Sequence, residues 1–302
     1  MNEPLHNYMR VGLVHFMAFP ECMGGEGPIL ETLTPLLRDP FFEAIEITHI
    51  KDADQAEAVG NAFAQAGVEP VFGAQPILLG GGLDLNHEAQ EQRGQAIAKL
   101  KRAFNRAAEI GCKRAAVLSG PVSDKRTVAK RLLTESLTEL AAYAQAKGMS
   151  LVLETFDQVP YGKNCLIGPT TDAVEVARNV RQQQPSFGLL LDLSHLPLLH
   201  ETPRHALELA QEYLTHVHIG NCAMDDPSHP AYGDNHPRIG APGTRVGVEE
   251  LAVFLRVLLK MDYLTPDTRP IVSFEVKPMP GESPELVIAQ SKRALEEAWR
   301  LV

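Results

Sequence analysis

The sequence predicts an α/β protein built as a single (β/α)8 TIM barrel over residues 1–302. Short apolar runs alternate with amphipathic segments from one end of the chain to the other, which is the order of a parallel sheet with crossover helices. The runs are nearly continuous in apolar residues rather than alternating, as in Phe187–Leu193, and this suits strands covered on both faces. The chain has 302 residues, a length that one such barrel fills without a second domain, and no linker or low-complexity tract divides it. A doubly wound open sheet is the alternative, but the G-x-G-x-x-G turn that it uses for dinucleotides is missing after the first strand.

The elements follow in order. Met9–Phe16 is the first strand; the Gly-rich turn Met23–Pro28 lacks the lysine and spacing of a phosphate-binding loop and leads into a helix over Ile29–Arg38. Glu43–Thr48 is the second strand, and the Ala-rich helix Ala53–Ala66 stops at Gly67. Val68–Gln75 is the third strand, followed by a flexible loop at Gly80–Gly82 and a helix over His87–Ile110 closed by Gly111. Lys113–Ser119 and Ser150–Phe156 are the fourth and fifth strands. Between them a helix over Asp124–Lys147 carries Leu132, Leu133, Leu137 and Leu140 at helical spacing and stops at Gly148. A helix over Pro169–Arg181, with Thr170 or Thr171 as its cap, leads to the sixth strand, Phe187–Leu193. The helix Pro203–Tyr213 leads to the seventh, Leu214–Ile219. After a long polar loop, Asn221–Arg245, come the helix Val248–Met261, the eighth strand Pro270–Val276 and a closing helix over Ser283–Leu301.

Composition limits the function classes. The net charge of -10 argues against a polyanion binder, since such proteins carry a basic patch or stripe, so no nucleic-acid partner is expected. The four cysteines form no C-x-x-C, which argues against a structural zinc site and for reduced thiols in a cytoplasmic protein. The segment Met1–Arg10 has no apolar core of a signal peptide, and no apolar run approaches the ~18 residues of a membrane span.

In a (β/α)8 barrel the chemistry lies at the C-terminal ends of the strands. Four successive strands carry a ligand-type residue there, each in an otherwise apolar run: Glu154, Asp192, His218 and Glu275. Strand parity puts His216 on the same face as His218, one step deeper, and turns His15 and Glu46 inward as neighbours of the site. Any one of these residues alone reads as an ion-pair partner or a satisfied core group. Three carboxylates aimed at one point, however, repel one another unless a cation neutralises them. Carboxylate and imidazole ligands without thiolate suit one divalent ion per chain, Mn2+, Mg2+, Co2+ or Zn2+.

The strand-end wordings L-V-L-E-T, L-D-L-S-H, H-V-H-I-G and V-S-F-E-V resemble the xylose isomerase-like TIM-barrel superfamily, which includes sugar phosphate isomerases and epimerases, ketose 3-epimerases, inosose dehydratases and endonuclease IV. The resemblance implies Glu154, Asp192, His218 and Glu275 as ligands of a metal ion, Mn2+ first, Glu154 and Glu275 as paired acid and base, and His195 as a substrate-binding residue. It departs at one place: ketose epimerases carry an arginine six residues after the ligand histidine, where this chain has Met224. The loop His229–Gly240, together with I-V-S-F-E-V-K-P and V-H-F-M-A-F-P, is similar instead to the catalytic subunits of bacterial C-glycoside deglycosidases, which work with a small β-rich partner subunit.

The expected activity is therefore a metal-dependent isomerase or epimerase acting on a sugar or keto-sugar through an enediolate. The alternative is a lyase cleaving a C–C or C–O bond of a 3-keto-glycoside, and an endonuclease IV-like phosphodiesterase is disfavoured by the acidic charge. His236 joins Glu154 and Glu275 as a catalytic candidate because general acid–base work needs a group within reach of the reacting carbon. Lys163, Lys277 and Arg238, near strand ends or in the long loop, join His195 as candidates for holding substrate oxygens. Asn221–Arg245 is long enough to serve as a lid or partner contact. A homo-oligomer, or a hetero-oligomer with a small β-rich subunit, is the expected assembly.

Overall fold

The computed structural model describes Met1 and residues 3–302; Asn2, part of the polar N-terminal stretch, lies outside the described residues. Eight parallel strands close on themselves in sequence order: β1 (Arg10–Val14), β2 (Ala44–Ile47), β3 (Glu69–Gly73), β4 (Arg114–Val117), β5 (Ser150–Glu154), β6 (Gly188–Asp192), β7 (Leu214–Ile219) and β8 (Ile271–Phe274). The (β/α)8 TIM barrel expected from the alternation is the observed fold. The outer ring is α1 (Ile29–Arg38), α2 (Ala53–Ala66), α3 (Gln90–Ile110), α4 (Arg126–Ala146), α5 (Thr170–Arg181), α6 (Pro203–Ala210), α7 (Val248–Lys260) and α8 (Pro284–Arg300).

The strands read as continuous apolar runs because their two faces serve two cores. Residues at i and i+2 share a face. One set, including Leu13, Ile45, Phe72, Leu153, Leu191, Val217 and Phe274, packs outward in the large cluster beneath the helices. The other set points into the barrel, where Ala44, Val71 and Ile271 form one small apolar layer and Ala116, Val152 and Leu190 another. Two residues further along the same strands come Glu46, Glu154 and Asp192, so the inner face changes from apolar to ionisable in one step towards the mouth.

Local signals set the ends of the helices. Asp52 caps α2 by accepting from the Gln55 amide at 2.7 Å, and Gly67, at φ 68°, ends it in the left-handed conformation that a side chain disfavours. The threonine cap expected for α5 is not formed: Pro169 is the N-cap residue, and Thr170 bonds Glu201 through both its amide and its hydroxyl. All the strands but β7 end one or two residues earlier than expected, and after β1 and β3 the chain turns into helix. His15–Ala18 and Gln75–Gly80 are short helical turns, so His15 leaves the barrel wall and packs outside it with Nε2 2.8 Å from the Thr32 hydroxyl. No helix among the described residues is long and apolar enough to cross a membrane.

Candidate metal centre

The register between adjacent strands sets the spacing of the site. Asp192 is level with His218, and His218 with Ser273, so Glu275 projects two residues beyond that level and Glu154, level with Leu190, lies below Asp192. A register shift at Leu189/Leu190 passes over Thr215, and His216 and His218 then both face inward, with ring centroids 5.2 Å apart. One ligand atom from each of Glu154, Asp192, His218 and Glu275 lies within 4.8 Å of the other three. All four side chains are buried. Gly220, directly after β7, allows this convergence: a Cβ there would lie 2.9 Å from His236 Nδ1 and 3.1 Å from Asp192 Oδ1.

Two carboxylate oxygens in the cluster, Glu154 Oε1 and Asp192 Oδ2, are buried and make no hydrogen bond among the described residues. The other Glu154 oxygen accepts from Gln75 Nε2 at 2.7 Å, and Asp192 Oδ1 accepts from the Ser194 amide at 2.8 Å. Each carboxylate is thus oriented through one oxygen, while the other has an imidazole nitrogen at 3.5 Å, His218 Nδ1 for Glu154 and His236 Nδ1 for Asp192. Burial pushes the Asp192 carboxyl above its usual range. His218 points Nδ1 into the cluster, 2.6 Å from Glu275 Oε2 and 3.5 Å from Glu154 Oε1, while its Nε2 faces away. Burial disfavours a charged imidazole, but Glu46 and Glu275 outweigh it and lift His218 well above the ordinary histidine value. A compact set of three carboxylates and one imidazole, with two buried oxygens that make no hydrogen bond among the described residues, fits a divalent cation.

A second network adjoins the first. Asp234 Oδ1 lies 2.5 Å from His236 Nε2, an ion-pair contact, and accepts from His195 Nε2 at 3.1 Å, and its Oδ2 receives the Lys163 ammonium at 2.5 Å. Despite burial, His236, His195 and Lys163 hold the Asp234 carboxyl well below its usual range. His236 is lifted to about 9 against its burial by Glu275 and Asp234, and His195 is raised by Asp234 and donates from Nδ1 to the Thr155 carbonyl at 2.6 Å. Asp192, His195 and His236 also have metal-ligand spacing, but both imidazoles are already committed to Asp234, whose second oxygen carries a lysine.

Above the cluster lies a cavity of about 620 Å3 whose lining includes Gln75, Lys163, Asp234, His236, Glu275 and Lys277. Of the sequence candidates, Glu275, His236, Lys163 and Lys277 thus reach the cavity. His195 does not line it; the ring is fully buried with both nitrogens bonded. Arg238 is turned away as well, pairing with Glu282 at 3.0 Å. Asp234 and Gln75 were not among the candidates. The only signal for Asp234 was a carboxylate two residues before His236 in a polar loop, and for Gln75 a polar residue just past an apolar strand.

The sequence profile of the xylose isomerase-like TIM barrel family matches residues 41–298. No curated protein sequence matches the chain. Among solved structures, a D-tagatose 3-epimerase-like protein superposes with a TM-score of 0.75 at 18% identity, covering 97% of this chain and 98% of the other. An IolI protein with a bound zinc atom gives 0.70 at 16%, covering 96% and 98%. A 3-keto-D-glucoside 4-epimerase from E. coli gives 0.64 at 17%, covering 95% and 98%. At these identities the structures establish the shared fold, and the profile match over most of the chain establishes the family: this chain belongs to the xylose isomerase-like TIM barrel family.

Proposed function

We propose that the protein is a divalent-metal-dependent epimerase or isomerase of a sugar or keto-sugar. The observation that carries this is the convergence of Glu154, Asp192, His218 and Glu275, with two buried carboxylate oxygens that make no hydrogen bond among the described residues, beneath a cavity that Glu275 lines. These four residues would hold the ion. When bound, such an ion supplies a Lewis acid that stabilises negative charge developing on a substrate oxygen. Glu154 and Glu275 come from β5 and from the end of β8, and between them they serve as base and acid, taking a proton from the carbon next to a carbonyl and returning one. His236 lines the cavity with Nε2 held by Asp234, and Lys277 supplies a donor for a substrate oxygen along the cavity wall. Structural neighbours described as a D-tagatose 3-epimerase-like protein and a 3-keto-D-glucoside 4-epimerase support a sugar as substrate.

One feature favours a second reading, cleavage of a 3-keto-glycoside. The cavity lining also includes apolar side chains, Phe16, Met17, Met23, Ile77, Leu79 and Phe156, which offer a surface for an aglycone that a free ketose does not need. Metal analysis of the purified protein, followed by incubation in D2O with ketoses and 3-keto-glycosides, tests both readings. An epimerase washes deuterium into intact sugar, and a lyase releases the aglycone. About one metal equivalent per chain is expected, falling sharply in Glu275→Gln and His218→Ala. Protein that takes up no divalent ion, and whose turnover a chelator leaves unchanged, would overturn the assignment.

A further inference from the structure

We propose that Glu46 is a positioning residue for this centre: braced by His216 and Arg114, its carboxylate fixes the proton of His218 on Nε2 and so leaves Nδ1 as the ligand atom. The proposal rests on the reading of His218 as a metal ligand.

Glu46 lies on β2 and reaches across the barrel interior to β7, its side chain 1% exposed. A single oxygen, Oε1, receives two imidazoles, His216 Nε2 at 2.8 Å and His218 Nε2 at 3.0 Å. Behind His216 stands Arg114, the first residue of β4, with Nη1 2.8 Å from His216 Nδ1. The direction of every bond follows from that arginine. A guanidinium only donates, so His216 Nδ1 accepts and the His216 proton is on Nε2. That proton goes to Glu46. An ionised carboxylate only accepts, so His218 in turn donates from Nε2. His218 Nδ1 is then the nitrogen that faces Glu275 and Glu154.

The electrostatics agree with this geometry. Burial and the neighbouring Arg114 keep His216 neutral, at about 4, even though Glu46 pulls the other way. Against its own burial, Glu46 is held well below the usual carboxylate range by His218 and His216. Filling the interior would not need such groups, since the adjoining layers are filled by Ala44, Val71 and Ile271 and by Ala116, Val152 and Leu190. Burying a carboxylate, a guanidinium and an imidazole costs more than apolar filling unless a partner uses them. His218 is that partner. A carboxylate on the far nitrogen orients a ligand imidazole and raises its basicity.

The test is Zn2+ binding to wild type, Glu46→Gln, Glu46→Leu and His218→Ala by calorimetry, with 15N NMR of the histidine rings in the zinc-loaded proteins. Glu46→Leu is expected to weaken Zn2+ binding by about 10- to 100-fold and to give a mixture of His218 tautomers. Glu46→Gln keeps an acceptor but loses the charge, so it should hold the Nε2–H tautomer with a smaller loss of affinity. A purely structural role would not order the two variants in this way or move the tautomer. Wild-type affinity in Glu46→Gln, with His218→Ala impaired, overturns the proposal, and Glu46→Gln decides it even if the leucine variant does not fold. Wild-type affinity in His218→Ala overturns instead the reading of His218 as a ligand.

Discussion

Replacing Asp234 by asparagine removes the charge on which His195, His236 and Lys163 converge. The amide oxygen can still accept one imidazole N–H, but the amide NH2 then faces the Lys163 ammonium, donor against donor. Breaking a buried ion pair by removing one partner costs about 3–5 kcal/mol. Lys163 keeps 30% of its side chain exposed, so water recovers part of that loss, and about 2–3 kcal/mol is expected. For a chain of this size that is a fall in Tm of roughly 4–6 °C. The loss has a pH signature. Against its burial, Glu275 and then Asp234 raise His236 from 6.5 to about 9, so the share that Asp234 contributes is fully present below 6.5 and lost as pH rises through about 9. The gap between wild type and Asp234→Asn, measured by urea unfolding of chelator-treated protein, should therefore be widest near pH 6.5 and narrow towards pH 9. A Tm within about 1 °C of wild type, or a gap independent of pH, would refute the reasoning.

Away from the site, His15 is held down to about 4 by burial, whereas the unfolded chain takes up a proton below 6.5. Stability from a neutral His15 is thus present above 6.5 and lost as pH falls to about 4, and the shift is worth roughly 3 kcal/mol. His216 is held at about 4 as well, so His15→Gln should reduce, not abolish, the slope in urea unfolding between pH 7 and 4; an unchanged slope would refute the contribution of His15. Gly220→Ala places a methyl group against His236 and Asp192, a close approach expected to cost about 1–3 kcal/mol and to weaken Zn2+ binding as well as stability. Wild-type Zn2+ affinity in that variant would mean that the backbone yields without moving the cluster.

The barrel was legible because its signal is local. Apolar runs such as Leu151–Leu153 and Leu189–Leu191, each between helices stopped or started by glycine, proline or a cap, specify strands buried on both faces wherever they lie in the chain. Parity then assigns Glu154, Asp192 and His218 to the inner face, since Val152, Leu190 and His216 two residues earlier face inward as well. The strand limits were less legible. His15 and Gln75 continue apolar runs in sequence, yet the chain turns into helix at both, and Gln75 thereby reaches Glu154 while His15 leaves the barrel.

By itself, then, the sequence determined the fold and the convergence of the four strand-end residues, because hydrogen-bonded strands in a closed barrel leave their inward side chains no other direction. Only the tertiary structure decided which groups answer them. Asp234 comes from a loop without periodicity, and nothing local says that it folds over β5 and β6 to gather His195, His236 and Lys163. The same loop turns Arg238 out to Glu282. Glu46 reaches His218 from 172 positions away in the chain, and Arg114 reaches His216 from 102. Side-chain direction along a strand is fixed by backbone geometry one residue at a time, whereas the partner of a buried charge is fixed by closure of the whole barrel.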